Sequence, residues 1–196
     1  MLKTILMMYV TTAPAILSGI MVMVWCKLPI LKALSKPMDF GKNFVDGKRI
    51  FGDNKTWKGL LGYLLFNTLF SVLWGLLCKN QAVGSLNYFY QLHENNLPFN
   101  LLVGVLMGFG YALFELPNSF LKRRLDITPG KTLKGFMKVF FIFLDQADSV
   151  FGCALVVWLF YPLGILKYLL FVVIGAVTHI VFNMLLYFAK LRKNMF

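Results

Sequence analysis

The chain has 196 residues, of which 59% are hydrophobic and 14% charged, with a formal net charge of +12. Soluble domains average about 45–50% apolar and about 25% charged residues, so this composition excludes an ordinary water-soluble globule and points to an all-α, polytopic integral membrane protein. Nucleic acid is not an expected partner, because the positive charge is divided among short connections between apolar segments.

Five segments are long and apolar enough to cross a hydrocarbon core, which takes about 17–25 residues. They cover residues 5–26, 60–78, 97–116, 139–161 and 165–189, and residues 1–196 read as one membrane-embedded unit. The first segment carries Pro14 and lacks a convincing small-residue cleavage site, so it reads as a retained helix and not a signal peptide. The connection over residues 27–59 contains Gly41, Gly47 and Gly52 and the stretch "GKRIFGDNKTWKG". That stretch brushes against a phosphate-binding loop, but Asp53 and Asn54 stand where lysine should follow glycine directly and no strand precedes it. A flexible, glycine-flanked loop offering Lys55, Thr56 and Lys58 to anions is what survives, with Trp57 as an interfacial anchor or a base contact. Residues 79–96 form a mixed polar loop. Span three leaves with Glu115, and Pro117 is expected to break it, placing Asn118, Ser119, Lys122, Arg123 and Arg124 in a second long loop that runs to about residue 138. Span four holds Asp145 and Asp148, and Pro162 and Gly164 turn the chain tightly into span five. Asn67 and Thr68 in span two, and His179 and Asn183 in span five, are expected to hydrogen-bond to other helices. Cys26, Cys78 and Cys153 have no metal-ligand spacing and are expected to be buried and inert.

If five helices alternate, all but three of the 20 basic residues lie on one side. Cytoplasmic loops carry the excess of Lys and Arg, so both long loops and the C-terminus are expected in the cytoplasm and the N-terminus outside, in the cell membrane. All but Glu94 of the eight acids gather on or near that same face, a mixture of signs that a mere anchor does not need.

Asp145 and Asp148 are three apart, so on a helix they share a face. A carboxylate in hydrocarbon costs about 2.5–3.5 kcal/mol on insertion scales, and two close together repel unless a proton or cation intervenes. They should therefore line a polar cavity about two turns into span four. Three compensations stand open: pairing with Arg123, Arg124 or Lys138, a proton or ion pathway, and a hard divalent cation such as Mg²⁺.

Three elements in order resemble the CTP-dependent lipid cytidylyltransferases, with the nearest likeness to the CDP-archaeol synthase group. They are Asn54-Lys55-Thr56-Trp57-Lys58-Gly59 before span two, Ser119-Phe120-Leu121-Lys122-Arg123-Arg124-Leu125 after span three with Pro129-Gly130 beyond, and Leu144-Asp145-Gln146-Ala147-Asp148 in span four. Against the looser phosphatidate cytidylyltransferase pattern, Glu115, Asn118 and Gln146 stand in place of Asp, Glu and Arg. The resemblance implies transfer of a cytidylyl group from CTP to a lipid phosphate with Mg²⁺ as cofactor. Asp145 and Asp148 would hold the metal with Glu115 beside them, and Lys122 and Arg123 would act in catalysis. Lys55, Thr56, Lys58, Asn118, Ser119 and Arg124 would bind substrate. A CTP-dependent lipid-alcohol kinase, a small transporter and a non-enzymatic scaffold are the competing readings, and a homo-oligomer is left open.

Overall fold

A computed structural model describes residues 2–129, 135–188 and 190. Gly130 and Ala189, together with Lys131, Lys134, Arg192 and Lys193 among the basic residues counted above, lie outside the described residues. The helices are α1 (Leu2–Lys27), α2 (Trp57–Leu77), a single turn α3 (Gln81–Gly84), α4 (Leu97–Arg124), α5 (Phe136–Phe160) and α6 (Gly164–Phe188). All but α3 are long and apolar enough to span a bilayer, and no strand is present among the described residues. The chain is a multi-pass, all-α membrane protein.

α1 packs on α2, α2 on α4, α4 on α5 and α5 on α6, so the bundle is an open ring with α4 near its centre. Lipid offers no hydrophobic drive between helices, and close backbone approach takes its place. Gly104 and Gly108 of α4 meet the α2 backbone so tightly that a Cβ at Gly104 would stand 2.5 Å from Thr68 Cα. At the α4–α5 contact a Cβ on Gly152 would stand 2.0 Å from the Gly110 carbonyl oxygen. α1 and α6, the ends of the ring, are joined by a hydrogen bond between the Tyr9 and Thr178 hydroxyls, 2.9 Å apart.

The expected spans are present, with one important correction. Pro117 does not break the third: α4 runs through it to Arg124. Proline lacks an N–H, but in a membrane helix neighbouring groups compensate for the freed carbonyl. The basic triplet is therefore the last helical turn of α4 and not a loop. α5 likewise begins at Phe136, ahead of the expected start.

The 27–59 connection is also not the flexible loop expected. The buried Asp39 carboxylate accepts hydrogen bonds from the backbone amides of Gly41, Phe51 and Gly52 at 3.0, 2.9 and 2.9 Å, and from Arg49 Nη2 at 2.8 Å. Burial alone would favour the neutral acid, but the Arg49 guanidinium and the three amides hold the Asp39 carboxyl well below the usual carboxylate range. Thr56 serves as the N-cap of α2, its hydroxyl accepting from the Gly59 amide at 3.1 Å.

At the other end of the bundle, the 79–96 loop folds inward. Tyr88 and Phe89 are buried, and the Tyr88 amide donates to Thr11 Oγ1 at 2.9 Å. Cys78 and Cys153 are buried as expected, but Cys26 is exposed.

Candidate active site

The extension of α4 puts Tyr111, Glu115, Asn118 and Lys122 on one stripe, since residues three and four apart lie one above another on a helix. That stripe faces Asp145 and Asp148 of α5. The Asn118 amide nitrogen donates to Asp145 Oδ1 and to Asp148 Oδ2, each at 2.8 Å, so the two carboxylates converge. Lys122 Nζ reaches both oxygens of Asp145, at 2.8 and 2.6 Å. Of the three compensations left open, the pairing present here comes from Lys122 and Asn118 and not from Arg123, Arg124 or Lys138. From the preceding loop, Lys55 forms an ion pair with Glu115. Burial opposes the charge on Lys55, but Glu115, Asp148 and Asp145 outweigh it and raise its pKa above the ordinary lysine value.

These groups line a cavity of about 360 Å³ at the end of the bundle that gathers the basic connections. Lys55, Glu115, Asn118, Ser119, Lys122, Arg123, Asp145 and Asp148 all contribute to its wall. Thr56, Lys58 and Arg124 do not. Thr56 is spent on the cap, and Lys58 turns toward α1, donating to the Leu28 carbonyl at 2.6 Å. Arg124 points to the outside of α4, over the Phe120 ring at 4.2 Å. Trp57 sits half-exposed against Phe40 and outside the cavity wall.

Several cavity residues had no assigned role in the sequence. Tyr63 stacks on Tyr111 with ring centroids 4.2 Å apart, and the Tyr111 hydroxyl lies 2.8 Å from His179 Nε2. Asn183 donates to Gln146. His179 and Asn183 therefore bond across helices as expected, and they also line the cavity. Asn67 bonds Ser18 Oγ of α1 at 2.8 Å, whereas Thr68 bonds only within α2, to the Leu64 carbonyl. Tyr111 was detectable as the next member of the α4 stripe; Tyr63 carried no comparable signal.

The polar wall gives way to an apolar one where Ile16, Ile20 and Met23 of α1 face Phe182 and Leu186 of α6. α1 and α6 are not packed continuously along this seam.

The donor set suits a hard cation. Asp145 and Asp148 offer carboxylate oxygens, and the buried Asn118 Oδ1 has no hydrogen-bond partner. Among the described residues no three His, Cys, Asp or Glu side chains are grouped closely enough to hold a metal by themselves. A cation that keeps water and substrate oxygens in its shell fits this partial set.

A membrane bundle with a two-signed polar cavity at one end defines a class of protein that handles charged groups at the edge of a bilayer. The family described as "CarS-like: CDP-archaeol synthase" matches residues 5–196, and the chain belongs to that family. It is 38% identical over 102 residues to the CDP-archaeol synthase of Pyrococcus furiosus, covering 52% of this chain and 53% of that one. To the CDP-archaeol synthase of Thermofilum pendens it is 35% identical over 149 residues, covering 76% and 60%. The chain thus spans little more than half the length of these curated relatives. A solved structure described as an intramembrane enzyme for archaeal membrane lipids biosynthesis shares the fold, with a TM-score of 0.59 and 22% identity over 90% of this chain and 92% of that one.

Proposed function

We propose that the chain transfers a cytidylyl group from CTP to the phosphate of a membrane lipid of the archaetidate or phosphatidate kind, releasing pyrophosphate. The observation that carries this reading is the cavity's pairing pattern: Lys55 and Lys122 are engaged by carboxylates, while Arg123 lines the same wall with no hydrogen-bond or ion-pair partner among the described residues. An available guanidinium, flanked by two lysines that can exchange carboxylate for phosphate, suits a site that collects anions.

In the reaction a lipid phosphate oxygen forms a bond to the α-phosphorus of CTP. The bond from that phosphorus to the bridging oxygen of the β-phosphate breaks, and pyrophosphate leaves with the electron pair. A phosphate monoester has its second pKa near about 6, so the nucleophile is already anionic at neutral pH and needs no strong base. The task is to bring anions together and stabilise the leaving group, which fixed cations do in a site with little water. Arg123 and Lys122 would hold phosphate oxygens, Lys55 would close over the nucleotide, and Asn118 and Ser119 would orient. Asp145 and Asp148, with Glu115 one turn earlier than Asn118, would hold Mg²⁺, which when bound neutralises charge on the triphosphate. The lipid tails remain in the bilayer along the α1–α6 seam, and the basic end of the bundle faces the cytoplasm.

Purified protein given labelled CTP, Mg²⁺ and a panel of lipid phosphates and lipid alcohols tests the reading. A CDP-lipid and pyrophosphate, formed only with the lipid phosphates, is the expected result. Release of CDP with a lipid alcohol would instead identify a kinase, and ion flux in vesicles without nucleotide turnover a transporter.

A further inference from the structure

We propose that Arg124 is a positioning residue, fastening the segment over residues 39–55 to the last turn of α4 and so fixing where Lys55 stands in the cavity. The inference rests on the function proposed above and assigns Arg124 a task other than binding phosphate. Successive residues on a helix are separated by about 100°, so three adjacent basic residues cannot face one cavity. Lys122 and Arg123 line it and Arg124 turns away.

What Arg124 meets there is a built receptor. Its Nη2 donates to the carbonyls of Arg49 and Lys48, at 2.5 and 3.2 Å, and its Nε lies 2.7 Å from Asp46 Oδ2. Its guanidinium covers the Phe120 ring and lies 5.4 Å from the centre of Phe44, which itself meets Phe120 edge-on at 5.2 Å. The segment answers in kind: Lys48 Nζ donates to the Arg124 carbonyl at 2.9 Å and to Asp126 Oδ2 at 2.7 Å.

The fastening is transmitted along a short path. Arg49, whose carbonyl Arg124 holds, pairs with Asp39, and Asp39 fixes the amides of Phe51 and Gly52. The Gly52 carbonyl accepts the Lys55 amide at 3.3 Å, and the Lys55 carbonyl accepts the Met38 amide at 2.7 Å. Gly52 (φ +101°) also lies against Pro129 and Arg123, where a Cβ would come within 3.0 Å of Pro129 Cγ. Phe51, Asn54 and Lys55 form the cavity wall at the end of this path. A planar guanidinium that donates from Nη2 to two carbonyls while forming an ion pair with a carboxylate is a geometry lysine cannot reproduce, whereas a lysine can still supply charge to a phosphate.

The experiment compares R124Q, R124K and D46N with the parent protein in detergent. Trypsin cleavage after Lys48 or Arg49 is followed without substrate, and CTP kinetics with it. All three variants should be cut about tenfold faster, since local opening sets the rate. All three should raise KM for CTP about tenfold with kcat within about twofold, and the D46N/R124Q pair should be no worse than R124Q. Near-normal kinetics in R124K and D46N beside a damaged R124Q would overturn the proposal in favour of direct phosphate contact. Faster cleavage with unchanged KM would also overturn it, leaving a fastening that positions nothing. Should the parent protein not turn over CTP, the assigned function fails, while the cleavage arm still decides whether Arg124 holds the segment.

Discussion

The two ends of the helix bundle solve the same problem in opposite ways. At the end holding α3, polar groups are matched locally: Thr11 takes the Tyr88 amide, Asn95 the Gly75 carbonyl at 2.7 Å, and His93 Nε2 lies 3.0 Å from the Phe160 carbonyl oxygen while its ring stacks on Phe99. Aromatic rings fill what remains. At the basic end, charges of both signs pair around a cavity, Lys122 with Asp145 and Lys55 with Glu115, and Asn118 Oδ1 and Arg123 Nε are buried without hydrogen-bond partners among the described residues. Buried polar atoms are nearly always satisfied, so two unmatched ones on residues of the cavity wall suit a site that receives a ligand, although others, such as Asn67 Oδ1, lie away from it. The closed end holds the helices in place, and the open end uses their rigidity.

That contrast can be broken by substitution. On the proposed function, Asp145→Asn and Asp148→Asn should each cut CTP turnover by about a thousandfold or more, as each would remove charge offered to a cation, while the melting temperature in detergent stays near that of the parent. A large fall in melting temperature would mean that the open end is structural too. Gly152→Leu should destabilise the bundle by about 3 kcal/mol, because its side chain must displace the α4 backbone, and the loss would be read in chemical or thermal unfolding. Thr11→Val, at the closed end, leaves the buried Tyr88 amide unpaired and should cost about 1–3 kcal/mol with turnover per folded molecule unchanged. The smallest effect concerns pH. Because the Asp39 carboxyl is held below its unfolded value of about 3.9, its contribution is complete above that pH and is lost as acid is added beyond it. Hydrogen exchange of the Phe51 and Gly52 amides should therefore report loosening only in that acidic range, and Asp39→Asn should remove the dependence.

The membrane frame was legible because length and apolarity alone define a span, and the convergence of Asp145 and Asp148 followed from their spacing. The local helix ends were not. Reading Pro117 as a stop hid the stripe that joins Tyr111, Glu115, Asn118 and Lys122, and it made Lys122, Arg123 and Arg124 look interchangeable. Once α4 continues, helical geometry separates them. Thr56 and Lys58 were misplaced for a related reason. A threonine before an apolar helix is equally a capping residue, and the direction of a lysine depends on which carbonyl a neighbouring helix leaves open, here that of Leu28. The order within residues 39–55 was hidden because one buried aspartate, far from the glycines in sequence, supplies it.

The α1–α6 seam has a kinetic consequence. If the proposed lipid phosphate enters beside Ile16, Ile20, Phe182 and Leu186, it is collected from a two-dimensional film, and saturation should follow its mole fraction among the surrounding amphiphiles and not its amount per litre. Extra detergent would then slow the protein by surface dilution at constant total lipid, while the response to the water-borne reactant stays the same.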